Sequence, residues 1–199
     1  MTSAVRRVGM FGGAFDPPHL AHVALARAAV EQLKLDELRI FPTGDAWHKT
    51  QILSSAAHRL AMARVAFGDL PHTVIDEREL HRPGPTYTID TLRELKAQQP
   101  EAELFLIMGE DQAVSLTRWR EWQAIPALAT ICMAARASTD ADAPRALPAE
   151  VELKLLRLPE MPESATEVRE RVAAQEGIDH LVPPGVARYI DQHSLYRPA

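Results

Sequence analysis

Cysteine is nearly absent. The single Cys132 excludes a disulfide within the chain, and its apolar surroundings read as a buried, inert thiol. No apolar run approaches the ~20 residues that span a bilayer. Basic residues are outnumbered, 22 Lys and Arg against 27 Asp and Glu, for a net charge of −5. That balance excludes a protein whose main work is to coat nucleic acid, which needs a basic surface, though local basic pockets for small phosphates stay open. With 46% apolar and 25% charged residues the chain is not disordered, and 9 glycines exclude a collagen-like repeat. Internal repeats of about 20–50 residues are missing too. Residues 1–12 hold two arginines but no long apolar segment and no small-residue cleavage site, so no signal peptide is read and a cytoplasmic location is expected. At 199 residues the chain can bury roughly 70% of its unfolded surface without covalent staples, and one domain over 1–199 is expected.

What is present alternates between two periods. Strands are expected at 5–11, 38–41, 72–76, 104–108, 128–134 and 151–158, the first breaking at Gly12-Gly13. Helices are expected at 20–34, 56–67, 88–98, 165–175 and 184–193. Val23, Ala26, Val30 and Leu33 mark the apolar stripe of the first helix, and Leu60, Ala63 and Phe67 that of the second. In the third, Thr88 is placed to cap a helix whose face is Ile89, Leu92 and Leu95. Residues 136–150, rich in Ala, Pro and Asp, read as a surface loop. Strand and helix in alternation imply an α/β fold: an open parallel sheet flanked by helices, with right-handed crossovers and the C-terminal helices packed on it.

The most informative stretch lies where the first strand meets the first helix: Gly12-Gly13-Ala14-Phe15-Asp16-Pro17-Pro18-His19-Leu20-Ala21-His22. In a parallel sheet, ligands bind outside the carboxyl ends of the strands. Two glycines there let backbone approach a phosphate, and the helix N-terminus adds free N–H groups and a positive dipole end. His19 and His22, three apart, share a helix face. A plain structural turn and a zinc site are the alternatives, the latter with no cysteine cluster nearby. Other segments admit two readings each. Ser164-Ala165-Thr166-Glu167 fits a capping box, and Arg169 sits one turn in. His48-Lys49 reads as a phosphate grip or a solvated basic pair. In Gly109-Glu110-Asp111, the last residue is either a ribose acceptor or a helix cap. Trp119 and Trp122, set among Arg118 and Arg120, are either core or a half-exposed aromatic platform.

Taken together, these segments resemble the bacterial nicotinate-nucleotide adenylyltransferases. His19-Leu20-Ala21-His22 is similar to the (His/Thr)-x-Gly-His signature of the nucleotidyltransferase superfamily, with Ala21 where glycine is usual. Pro42-Thr43-Gly44-Asp45-Ala46-Trp47-His48-Lys49, Asp76-Glu77-Arg78-Glu79-Leu80 with Pro85-Thr86-Tyr87-Thr88, Met108-Gly109-Glu110-Asp111 with Thr117-Arg118-Trp119, and Ser164-Ala165-Thr166-Glu167-Val168-Arg169 follow in the family's order. Glu163 stands where that family commonly has an apolar residue.

The resemblance implies a Rossmann-like nucleotidyltransferase fold and transfer of an adenylyl group from ATP to nicotinate mononucleotide, giving deamido-NAD and pyrophosphate. It implies catalytic roles for His19, His22 and Arg169. It implies an ATP site of Gly12, Gly13, Phe15, His19, His22, Gly109, Asp111, Ser164, Thr166 and Arg169, and a mononucleotide site of Asp16, His48, Lys49, Thr86, Tyr87 and Trp119. Mg²⁺ is expected to come mainly with ATP, without a protein ligand of its own. Neither nucleic acid nor membrane is an expected partner.

Overall fold

The apolar runs pair into one six-stranded sheet, parallel throughout. The computed structural model describes residues 5–44, 53–136 and 151–198. The strands are β1 Arg7–Gly13, β2 Glu37–Pro42, β3 Thr73–Ile75, β4 Glu103–Met108, β5 Thr130–Arg136 and β6 Leu153–Leu158, in the spatial order β3-β2-β1-β4-β5-β6. The chain builds outward from β1 to one edge, then returns to build outward from β4. The strand order therefore reverses between β1 and β4, where a crevice opens at the carboxyl ends.

Side chains of successive residues point to opposite faces, and both faces are covered. Val8, Met10, Leu104, Leu106 and Met108 enter the core beneath helix α4 (Thr88–Gln98). Phe11, Phe105 and Ile107 enter the other, beneath α1 (Leu20–Leu33) and α2 (Ala56–Phe67). Burial on both sides explains why the central strands are apolar at almost every position. Cys132 is wholly buried in this second core, and desolvation pushes its thiol pKa up to about 12, so it is inert as expected.

Several details differ from the sequence reading. β1 does not break at Gly12; it runs on through Gly13, paired with Phe41 and Pro42 of β2. In α2 the buried residues are Arg59, Met62, Ala63 and Phe67, and Leu60 is only half-buried. The face is rotated because α2 packs on two partners, with Ala63 and Phe67 toward the sheet and Met62 toward the C-terminal helices α6 (Ala165–Ala173) and α7 (Pro184–Gln192). Those helices therefore reach the sheet through α2, in a cluster of their own with Val168, Val182, Val186 and Ile190. In α1, likewise, Leu25, Ala26, Ala29 and Leu33 are buried, with Val23 and Val30 at the rim. Thr88 does not cap α4; Tyr87, in extended conformation, is the N-cap and makes no side-chain cap bond. The helix α5 (Glu110–Ser115) was foreseen only through the reading of Asp111 as a cap; the short helix α3 (Arg78–His81) and the 3-10 turns Leu116–Arg118 and Trp122–Ala127 were not foreseen. The last of these delays the fifth strand to Thr130.

Candidate active site

A parallel sheet with helical crossovers sends helix N-termini to its carboxyl edge. Here the starts of α1, α4, α5 and α6 all line one cleft of about 1080 Å³ above β1 and β4. The first N–H groups of a helix have no partner within it, and the dipole there favours anions. His19, Tyr87 and Gly109, the N-caps of α1, α4 and α5, form no side-chain cap bond. At α6 the N-cap side chain does act: the Ser164 hydroxyl accepts from the Glu167 N–H at 3.1 Å. This is the serine half of the capping box read in the sequence. Asp111, the other suspected cap, sits instead inside the first turn of α5.

At α1 the two histidines lie together as their spacing required. Their ring centroids are 3.7 Å apart, and His22 Nδ1 accepts from the His19 N–H at 3.2 Å. His19 is buried, and desolvation lowers its pKa to about 4 against an opposing pull from the Asp111 charge. It is therefore a neutral imidazole at pH 7, a donor of one N–H rather than a cation. The turn feeding this helix is held from below by Phe15. Its backbone is left-handed (φ 49), a conformation that costs an L residue roughly 1–2 kcal/mol. Its ring is buried edge-on to Phe11, Phe67 and His22. That burial offsets the backbone cost.

Arg169 joins α6 to this turn. It donates to the Asp16 carbonyl at 2.7 Å and to Thr166 Oγ1 at 3.0 Å. Asp16 is itself 3% exposed. One carboxylate oxygen accepts from Tyr196 Oη at 2.6 Å, the other from the Ser54 N–H at 3.0 Å. Burial, and then the bond to Asp16, push the Tyr196 pKa up, so its hydroxyl keeps its proton. Beneath lies the buried Arg59, donating to the carbonyls of Ala14, Thr43 and Ser54 at 3.1, 2.6 and 3.1 Å. One guanidinium thus ties the β1–α1 turn to the chain leaving β2. Gly44 follows there, where a Cβ would stand 2.1 Å from the Glu79 carbonyl.

The far end of the cleft is aromatic. Tyr87 and Trp119 are half-buried against the core and line the cleft with Thr86 and Thr88. Trp119 and Trp122 rest on the core's edge, and of these two it is Trp119 that lines the cleft. Glu79 closes this end from below, bonded by Thr91 Oγ1 at 2.8 Å. Its burial raises its carboxyl pKa to about 7.

Every expected site residue that lies among the described residues therefore lines this one cleft. His48 and Lys49 lie outside the described residues. Sequence reasoning missed Arg59, Tyr196 and Glu79. A charge three and four residues before the buried Met62 and Ala63 was the available signal for Arg59. Nothing local marked Tyr196, 180 residues from its partner.

A cytidylyltransferase-like family model matches residues 10–171. A probable nicotinate-nucleotide adenylyltransferase of Albidiferax ferrireducens is 56% identical over 198 residues, 98% of this chain and 100% of the relative. The chain belongs to the nicotinate-nucleotide adenylyltransferase family. A second probable member, from Methylibium petroleiphilum, is 42% identical over 98% of this chain and 95% of its own. The fold is also that of the solved Plasmodium falciparum nicotinic acid mononucleotide adenylyltransferase complexed with NaAD, with a TM-score of 0.81 at 20% identity over 96% of this chain and 97% of that one. Among the described residues no cluster of three or more His, Cys, Asp and Glu is placed to hold a metal, and no helix is long and apolar enough to cross a membrane.

Proposed function

We propose that this chain transfers the adenylyl group of ATP to the 5′-phosphate of nicotinate mononucleotide, forming deamido-NAD and pyrophosphate in NAD biosynthesis. The observation that carries this reading is the convergence of four helix N-termini, His19, His22 and Arg169 on one cleft. Such a site is made for anions, and the reaction brings two together.

A phosphomonoester has a second pKa of about 6, so the nucleophile is already ionised at neutral pH and needs no general base. Catalysis then rests on aligning two anions and on neutralising charge at the α-phosphate and leaving pyrophosphate. His19 and His22 donate to the α-phosphate from the N-terminus of α1, beside the backbone of Gly12, Gly13 and Phe15. Ser164, Thr166 and Arg169 hold the β- and γ-phosphates at α6. Gly109 and Asp111 meet the ribose. Thr86 and Tyr87 present backbone N–H groups to the mononucleotide's ring acid, and Trp119 stacks on the pyridine. His48 and Lys49 hold its phosphate. Asp16 braces the turn between β1 and α1, its carboxylate being engaged by Tyr196 and Ser54. Mg²⁺ would come with ATP and would add charge neutralisation at the phosphates, beside Arg169 and the N-terminus of α6. The setting is cytoplasmic, and residues 1–199 act as one domain.

Pyrophosphate release from ATP, Mg²⁺ and each of three acceptors tests this. Nicotinate mononucleotide is expected to support turnover far better than nicotinamide mononucleotide, and phosphopantetheine not at all. Turnover with phosphopantetheine alone would overturn the reading.

A further inference from the structure

One buried cation beneath the cleft holds three stretches of chain at once. Arg59 is 3% exposed, and among the described residues all its hydrogen bonds go to backbone carbonyls. Nη1 directs its two hydrogens to Ala14 at 3.1 Å and Thr43 at 2.6 Å, and Nε serves Ser54 at 3.1 Å. A guanidinium keeps its donors in one rigid plane, so these carbonyls are fixed relative to one another. Burying a cation without a bonded carboxylate is costly, and a neutral donor would tie the chain at lower cost. The consequence falls on Phe15. In a trans peptide the C=O and N–H point in opposite directions. The Ala14 carbonyl, turned down onto Arg59, therefore turns the Phe15 N–H up, where Ala14 and Phe15 line the cleft. Phe15 is 1% exposed, and among the described residues its N–H meets no acceptor. A buried backbone donor without a partner is rare, and this one stands beside the histidine pair.

We infer that Arg59 is a positioning residue of the transfer: by holding the Ala14 carbonyl it aims the Phe15 N–H at the phosphates, and by holding Thr43 it fixes that donor against the neighbouring strand end. This rests on the adenylyl-transfer reading above. Arg59 itself touches no substrate. It acts through a backbone donor, and such a donor stabilises developing charge only when it is already in place. A misplacement of about 1 Å, caused far from the chemistry, can cost about 10² in rate. The Thr43 N–H in turn donates to the Gly13 carbonyl at 2.9 Å, so the ends of β1 and β2 are locked together from both sides. A role in stability alone predicts another pattern: fewer folded molecules, each turning over normally.

The test uses the full chain with its five phenylalanines labelled at the amide nitrogen, as wild type, Arg59→Lys and Arg59→Met. Two quantities are read: the shift of the Phe15 amide proton on adding ATP and Mg²⁺, and kcat and KM per folded, ATP-binding chain. In the wild type, ATP is expected to move the Phe15 amide proton downfield. Arg59→Lys keeps the charge without the fork. It is expected to lose most of that movement and to lower kcat by roughly 10- to 100-fold per binding-competent chain, with the KM of ATP changing much less. Arg59→Met leaves three carbonyls unpaired and is expected to lose more; where it does not fold, Arg59→Lys decides. A Phe15 amide that ATP leaves unmoved in the wild type would overturn the inference. So would a folded Arg59→Lys that is less stable but keeps a normal kcat. If the wild type released no pyrophosphate with either mononucleotide, the underlying reading would fall, while the amide shift would still report whether Arg59 aims the turn at ATP.

Discussion

At one end of the cleft, α1 and α6 begin on residues whose side chains take part: His19 stacked on His22, and Ser164 capping, with Thr166 and Arg169 a turn further on. At the other end, α4 begins on Tyr87, which forms no side-chain cap, so what it offers is backbone. The first end is braced by a network reaching from β1 to the C-terminus, through Arg169, Asp16 and Tyr196. The second rests on short turns and aromatic edges. An anion site made of side chains resists a change of substrate. One made of backbone donors and a ring platform is retuned by whichever side chains surround it. The chemistry common to adenylyl transfer belongs at the first end, and the choice of acceptor at the second.

The sharpest way to break that division is His22→Ala. Loss of a donor to the α-phosphate in the transition state is expected to lower kcat by about 10²–10³, or ~3–4 kcal/mol, with either mononucleotide. A near-normal kcat in a folded variant would remove His22 from catalysis. Next, Arg169→Ala is expected to weaken ATP binding by roughly tenfold to a hundredfold, and the mononucleotide much less. Separate equilibrium titrations of the two ligands decide it; equal weakening would make Arg169 a support for Asp16 only. Trp119→Ala is expected to raise the KM of the mononucleotide by about tenfold and leave that of ATP nearly unchanged, as a stacking platform at the second end requires.

Smaller effects concern the scaffold. Tyr196→Phe strips a buried donor from Asp16 and is expected to cost about 1–3 kcal/mol of stability, read from denaturant unfolding. The acid dependence of stability separates the two ends as well. His19, lowered from 6.5 to about 4, contributes stability that is full above pH 6.5 and lost as pH falls toward 4. Glu79, raised from 4.5 to about 7, contributes stability that is full below pH 4.5 and lost as pH rises through 7. Between pH 4.5 and 6.5 the two oppose each other. Glu79→Gln is therefore expected to gain stability with pH more steeply than the wild type across that window, and parallel curves would contradict the assignment.

How far each region was legible in the sequence follows the same divide. The sheet showed itself because strands buried on both faces are apolar throughout, as at Leu104, Leu106 and Ile107. The histidine pair and the Ser164 cap showed themselves because their partners lie within one helical turn. α3 and α5, at four and six residues, are too short for a period to register. The rotated face of α2 depends on a second packing partner that arrives more than a hundred residues later in the chain. Tyr87 displaced Thr88 as the cap because the helix starts one residue earlier than a side-chain cap by Thr88 would require. The tie between Asp16 and Tyr196, and the placement of Arg120 over Tyr87, are tertiary facts with no local signature.

The most direct measurement follows the α-phosphorus. Supply ATP labelled at that atom with Mg²⁺ and nicotinate mononucleotide, and track label and pyrophosphate together. Direct transfer within one cleft predicts label in deamido-NAD, one equivalent for each pyrophosphate released, with none retained on the protein. Label left in AMP, or held on the chain while pyrophosphate departs, would contradict it.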